Sequence, residues 1–311
     1  MVKKKQLRRR PFETAAFRVG LFLIPRLPRC AVLGLAQLGG RLGYRLDRTG
    51  RRIGEANLNI AFGDSKTARE KKRILKTAYI TMARTFLDVI WFGTNSAKRL
   101  AEYVEADRSI EPLFCSKNQI CITAHFGSWE VIGQMMAQRG FSLHSIAMPV
   151  KNPEVDRLLI RRREVTGQKI VPLKGALKTL LGVLRSGGKA AFLVDQNTPE
   201  ERGGIWADYF GLPVPVTPAP ASLAAKTGSE IFIGFCAPQP RGHYRVYITQ
   251  ALPVPENSDR KTVQTLTQQT LMAIEREVRM HPEHWLWMYK RWKTIRDPKD
   301  ATRYPFYADR R

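Results

Sequence analysis

The sequence predicts an α/β fold, with a mostly parallel or mixed central sheet flanked by helices and entered through N-terminal helices that associate with a membrane. Three observations carry this. Short, continuous apolar runs, Ile120 to Ala124 and Lys189 to Val194 among them, read as strands buried on both faces. Stretches of helical spacing such as Thr67 to Phe92 and Gly175 to Ser186 separate such runs, and strands alternating with helices argue a parallel sheet. The first ten residues, MVKKKQLRRR, carry six positive charges and lead into a broken apolar stretch, Phe12 to Gly43. That pattern suits a segment lying on an anionic membrane face.

The totals bound the answer. A chain of 311 residues with 43% hydrophobic and 25% charged residues is globular in composition, which argues against disorder. Its 52 Lys and Arg against 27 Asp and Glu give a net charge of +25. Such a field draws polyanions: nucleic acid, an anionic membrane, or a phosphorylated or acidic substrate. The four cysteines, Cys30, Cys115, Cys121 and Cys236, form no CxxC pair. They point to a reducing compartment with neither a disulfide framework nor a zinc site.

Taken in order, Ala15 to Ile24 and Cys30 to Leu38 are apolar runs, each short of the roughly 20 residues needed to span a bilayer. No small-residue cleavage site follows the basic head, so a removed signal peptide is not expected. Residues 1–45 therefore read as a basic, membrane-associating helical segment, with a helix pair packed on the domain as the other reading and the two compatible. Residues 46–311 form one domain, since neither an internal repeat nor a low-complexity linker divides them. A long helix, Thr67 to Phe92, repeats apolar residues at helical spacing (Ile74, Leu75, Ala78, Phe86, Leu87, Ile90). Phe141 to Met148 reads as a strand, Glu154 to Thr166 as a helix made basic by Arg157, Arg161, Arg162 and Arg163, and Lys169 to Pro172 as a short strand. The strand Lys189 to Val194 ends in Asp195-Gln196-Asn197, and a Gly- and Pro-rich loop runs from Pro199 to Pro220. After a short helix, Ala221 to Thr227, the strands Ile231 to Ala237 and Tyr244 to Thr249 meet at Arg241-Gly242 and give the sheet a mixed edge. A helix, Lys261 to Met280, precedes the tail HPEHWLWMYKRWKT. The tryptophans Trp285, Trp287 and Trp292, interleaved with Lys290, Arg291 and Lys293, suit either a membrane interface or the core.

The chemistry concentrates in QICITAHFGSWEVIG, Gln119 to Gly133. An apolar strand runs into a turn carrying His125 and Glu130 and then into a helix, the place where open α/β folds put their active sites. On a continuous helix, five residues would set the two about 140° apart. A strand-to-helix turn brings them together instead, with Gly127 allowing the bend and Ser128 serving as a helix cap. A carboxylate on one ring nitrogen fixes the tautomer, and the other nitrogen takes a proton from a hydroxyl. Such assistance contributes roughly 10²- to 10⁴-fold. Other motifs fail. GVLRSGGK (Gly182 to Lys189) lacks the Ser or Thr of a phosphate loop and ends a helix, HFGSWE is no GxSxG elbow, and His281 and His284 are no HExxH pair.

AHFGSWE resembles the HxxxxE/D motif of the lysophospholipid acyltransferase superfamily. More narrowly, the chain resembles the bacterial lipid A biosynthesis acyltransferases, the late lauroyl and myristoyl transferases. RRIGEANLNIAF, PVKNPEVDRLLIRRREVTG, FLVDQNTPEERGGIWADYFGLPVPVTPAPASLAAKTG and HPEHWLWMYKRWKT are similar to that family's segments in the same order, over most of residues 12 to 296. Asn197-Thr198-Pro199, Tyr209-Phe210-Gly211 and the prolines Pro218 and Pro220 depart from its usual pattern. The resemblance implies a glycerolipid acyltransferase-like fold and an O-acyl transfer without a bound cofactor or metal. His125 deprotonates an acceptor hydroxyl, Glu130 orients and charges it, and the alkoxide attacks the thioester of acyl carrier protein or, second in order, of coenzyme A. Arg163 holds a phosphate of donor or acceptor, and Asp195 and Gln196 position substrate or brace the site. The acceptor is a lipid A precursor or related glycolipid on the cytoplasmic face of a bacterial inner membrane. Two other classes are weaker. A nucleic-acid-binding protein is suggested by charge alone and lacks its modules, and a lipid hydrolase would use the same pair on water.

Overall fold

The computed structural model describes residues 11–114 and 117–309. The basic head and Cys115 lie outside the described residues. In chain order the elements are α1 (Pro11–Leu23), α2 (Arg29–Leu46), α3 (Arg48–Phe62), α4 (Ala68–Trp91), α5 (Ser96–Tyr103), β1 (Val104–Ala106), β2 (Gln119–Thr123), α6 (Trp129–Gln138), β3 (Leu143–Ala147), α7 (Pro153–Glu164), β4 (Lys169–Pro172), α8 (Ala176–Arg185), β5 (Lys189–Leu193), β6 (Ile205–Tyr209), β7 (Leu212–Val216), α9 (Ala219–Thr227), β8 (Glu230–Pro238), β9 (Tyr244–Leu252) and α10 (Arg260–Met280).

Seven strands form one sheet in the order β1-β9-β8-β2-β5-β3-β4. β8, β2, β5, β3 and β4 run parallel, and β9 and β1 run the other way along one edge. The mostly parallel sheet with a mixed edge is therefore present. Because strand side chains alternate, Ile120 and Ile122, Ala190 and Phe192, and Ile231 and Ile233 join a core with α8, α9 and α10. Cys121, Ala191 and Phe232 turn to the other face and pack with Val131 and Met135 of α6. Burial on both faces explains why β2, β5 and β8 read as unbroken apolar runs.

The helices begin where local chemistry directs them. Thr67 and Glu70 form a capping box at the head of α4, satisfying two otherwise orphaned N–H groups. Asn152 caps α7 ahead of Pro153. α2 packs along α4 so closely that a Cβ on Gly40 would lie 2.4 Å from Ile80 Cα. The same pair of helices is tied by charge. Arg29 gives two hydrogen bonds to Asp88 and two to the Gly242 carbonyl, and Tyr244 donates to Asp88 at 2.5 Å. Arg29, Asp88 and Tyr244 are all buried. Breaking a buried pair leaves an uncompensated charge, which costs about 3–5 kcal/mol. Asp88→Ala should therefore lower unfolding free energy by that amount, and denaturant titration measures it.

Two expectations change. The stretch Pro199 to Pro220 is not simply a loop, because it holds the antiparallel hairpin β6–β7. Phe210 and Gly211 turn it, both at positive φ (51° and 73°), as a tight hairpin requires. Pro213 and Pro215 disguise β7 in the sequence, yet proline is tolerated where its missing N–H faces away from the partner strand. Second, Trp285, Trp287 and Trp292 are at most 1% exposed. They pack against Tyr209 and Phe210 of the hairpin, so the core reading holds and no membrane contact is open to them. Among the described residues, no helix is long and apolar enough to cross a membrane.

Candidate active site

β2 and β5 set the site by register. Thr123 pairs with Leu193, so two residues further on His125 and Asp195 leave adjacent parallel strands at the same level. Asp195 Oδ1 lies 2.8 Å from His125 Nδ1. Its Oδ2 accepts from the His125 backbone N–H and from Trp285 Nε1–H, both at 2.9 Å. Asp195 is 2% exposed. Burial alone would raise its pKa, but the His125 imidazole and these three hydrogen bonds outweigh burial and hold the carboxyl below its usual range. An acceptor-only carboxylate places the proton of His125 on Nδ1 and leaves Nε2 as the basic nitrogen. The Gln196 amide stands 3.3 Å from Nε2, and the Trp129 ring packs edge-on against the imidazole with centroids 5.0 Å apart.

The turn after His125 is stitched from three sides. Gly127 has φ +54°, and a Cβ there would lie 2.0 Å from the Cys236 carbonyl oxygen. Ser128 N–H donates to that same carbonyl, and Thr85 of α4 donates to the Gly127 carbonyl. Ser128 occupies the N-cap of α6, as expected, but its hydroxyl makes no cap bond and has no partner. The C-terminal segment supplies the third side. Gly127 N–H donates to the His284 carbonyl and Leu286 N–H to the His125 carbonyl, while Phe126 and Trp285 form an isolated antiparallel bridge. The same segment fixes the far side of the site. Tyr289 OH accepts from Asn197 N–H, the Lys290 carbonyl accepts from Asn197 Nδ2, and Arg291 donates to Asn197 Oδ1.

His284 gives this clamp a pH signature. Burial lowers its pKa from 6.5 to about 4. The unfolded chain then binds a proton below pH 6.5 that the folded chain refuses until pH 4. Stability is thus full above pH 6.5 and declines as pH falls to 4, by about 3 kcal/mol. Replacing His284 by Gln should remove that part of the slope in melts recorded across this window.

Glu130 does not meet His125. It is 8% exposed and receives two hydrogen bonds from Arg163, Nε to Oε2 at 2.8 Å and Nη2 to Oε1 at 2.5 Å. Burial would lower the Arg163 pKa, but Glu130 raises it above its usual value. The carboxylate expected on the imidazole is therefore Asp195. Sequence proximity favoured Glu130, whereas the parallel register brings a residue 70 positions away into contact. Of the site residues read from the sequence, His125, Asp195 and Gln196 come together, and Glu130 and Arg163 form a second pair joining α6 to α7. Trp285, Asn197 and Arg291 were not read as site residues. The only signals were the strand end that contains Asn197 and the tail that contains the other two.

The sequence profile of the bacterial lipid A biosynthesis acyltransferases matches residues 2–294. The phosphatidylinositol mannoside acyltransferase of Mycobacterium tuberculosis (strain CDC 1551 / Oshkosh) is 23% identical over 89% of this chain and 87% of its own. The lipid A biosynthesis palmitoleoyltransferase of Escherichia coli (strain K12) is 22% identical over 78% of each chain. The lauroyltransferase of the same organism is 20% identical over 88% of this chain and 89% of its own. The crystal structure of the 1-acyl-sn-glycerophosphate acyltransferase of Thermotoga maritima overlaps 83% of this chain and 99% of its own at 15% identity, with a TM-score of 0.39. The profile runs through the His125 turn, the Asp195 strand end and the clamp alike, and the chain belongs to the bacterial lipid A biosynthesis acyltransferase family.

Proposed function

We propose that this acyltransferase moves a fatty acyl chain from a thioester to a hydroxyl of a glycolipid, with His125 as general base and Asp195 as the group that orients it. The hydrogen bond between His125 Nδ1 and Asp195, just past the C-terminal ends of two adjacent central strands, is the observation that supports this most directly. Nε2 takes the acceptor proton as the oxygen attacks the thioester carbonyl. The imidazolium then protonates the departing thiolate, and Asp195 stabilises that imidazolium. The amino end of α6, two residues past Gly127, offers its positive dipole to the developing oxyanion. Gln196 holds Nε2 until the acceptor displaces it.

The donor in this reading is acyl carrier protein thioester, with coenzyme A thioester as the alternative. The acceptor is a phosphorylated lipid A precursor or a related glycolipid. Arg163 is the phosphate ligand, because a guanidinium matches phosphate geometry, and Glu130 holds it in place. Glu130→Gln should then raise KM for the phosphorylated substrate more than it lowers kcat, as read from initial rates over an acceptor series. An equal loss in kcat with KM unchanged would return Glu130 to the chemical step.

The enzyme works peripherally on the cytoplasmic face of a bacterial inner membrane. Phe12, Val19, Phe22 and Leu23 of α1 and Leu35, Leu38, Leu42 and Leu46 of α2 are exposed, among the basic residues Arg18, Arg26, Arg41 and Arg45. Incubation of purified enzyme with lauroyl thioesters of acyl carrier protein or coenzyme A and a panel of glycolipids, followed by mass spectrometry, tests the reading. One added acyl chain on a phosphorylated glycolipid is expected. Release of free fatty acid with no acylated lipid would overturn it in favour of hydrolysis.

A further inference from the structure

The catalytic edge of the sheet does not end at β5. β3 runs parallel to β5 with Ser145 beside Ala191, and β4 runs parallel to β3 with Ala147 beside Pro172. Extending both registers sets Met148 beside Val194, and Leu173 beside Met148. These residues thus stand one step below the level of His125 and Asp195, within three strand spacings of β2, roughly 14 Å. At this level a core position would be expected, yet Met148 is 63% exposed and Leu173 51%. Leu177, in the first turn of α8, is 54% exposed. Lys151, Lys174 and Lys178 lie exposed among them, with no carboxylate partner among the described residues.

This margin joins α1. Thr14 accepts from Asn152 and Arg18 donates to Glu154. Val150 and, from α1, Phe17 and Leu21 pack against the same cluster of Val89, Ile90 and Leu159, which leaves Phe12, Val19 and Phe22 outward. Large apolar side chains rimmed by lysine, on a protein of charge +25, match an anionic bilayer in both of its attractive terms, apolar insertion and headgroup charge.

We infer that the lip formed by Met148, Leu173 and Leu177 with Lys151, Lys174 and Lys178 is a second membrane contact, one that brings the C-terminal edge of the sheet and His125 down onto an anionic lipid surface. This rests on the reading of the enzyme as a membrane-bound glycolipid acyltransferase. α1 and α2 recruit the protein. The lip sets its orientation, so that an acceptor headgroup reaches Nε2 without leaving the bilayer.

The test uses the full chain and vesicles of phosphatidylcholine with or without phosphatidylglycerol. Three variants are compared by sedimentation: Met148→Ser/Leu173→Ser/Leu177→Ser, Lys151→Gln/Lys174→Gln/Lys178→Gln, and Leu38→Ser/Leu42→Ser on α2. The apolar lip variant is expected to bind anionic vesicles about 10- to 100-fold more weakly. The lysine variant should lose about 100-fold at low salt and much of its salt dependence. Both should acylate an acceptor in detergent micelles at the wild-type rate while failing on the same acceptor in vesicles. Unchanged vesicle binding with a raised KM for the thioester donor would assign the lip to an acidic donor protein and overturn the inference. So would unchanged binding and unchanged vesicle activity in both lip variants. Failure of the wild-type protein to bind vesicles at all would overturn the membrane reading itself.

Discussion

His125→Ala removes acyl transfer, with kcat expected to fall by roughly 10³-fold or more. General-base assistance alone contributes about 10²- to 10⁴-fold, and among the described residues no second base stands at this position. The nearest carboxylate, Asp195, is 2% exposed and already accepts from His125 and Trp285. Glu130 is held by Arg163. The fold should survive, because the turn is secured through backbone atoms of His125, Gly127 and Ser128 to partners in the C-terminal segment and β8. The loss is the imidazole's hydrogen bonds to Asp195 and Gln196, about 1–3 kcal/mol together. Single-turnover rates with saturating thioester, beside a thermal melt, separate the two effects. Wild-type turnover in a folded variant would remove His125 from the chemistry.

Asp195→Asn is the sharper experiment, since it conserves shape. The carboxylate receives three donors: the His125 N–H, the imidazole Nδ1–H and the Trp285 indole N–H. An amide has one oxygen for them. If that oxygen takes the two donors at the Oδ2 position, the NH₂ group faces Nδ1 and forces the imidazole proton onto Nε2, which destroys the base. The reverse orientation sets NH₂ against two N–H groups. Either way kcat should drop roughly 10³- to 10⁴-fold, with KM for both substrates little changed. Combining it with His125→Ala should add little, because residues that act as a unit are not additive. A full additive loss in the double variant, or normal rates in the single one, would show that Asp195 acts independently of the imidazole.

The sequence makes the sheet legible because its central strands are buried on both faces. Between their polar first residues and their C-terminal ends, β2, β5 and β8 are apolar on both faces, and such runs stand out. The turn at His125 is legible for a related reason, since Gly127 marks a bend that no other residue fits, with Cys236 O at 2.0 Å from its missing Cβ. What escapes is pairing at a distance. His125 and Asp195 are 70 residues apart, and a one-residue change in the β2–β5 register would set a different side chain opposite the imidazole. Nothing local encodes that register. It follows from how the apolar faces of α8, α9 and α10 close on the sheet. The hairpin β6–β7 escapes through its own composition, where Pro213 and Pro215 mask a strand.

The clamp of residues 284–291 carries a consequence for the life of the molecule. The last segment of the catalytic assembly to be synthesised touches the His125 turn, Asp195 and Asn197. α1 and α2 are synthesised first, and domains begin to form from the N-terminus as synthesis proceeds. His125 and the β5 strand end are synthesised before their tryptophan and carbonyl partners exist. The site therefore stays incomplete until the C-terminal tryptophans fold in beneath the turn, the last step of its assembly. Interrupted synthesis or a proteolytic cut after Met280 should therefore leave a protein whose His125 turn lacks its backbone and indole partners, and with them its activity.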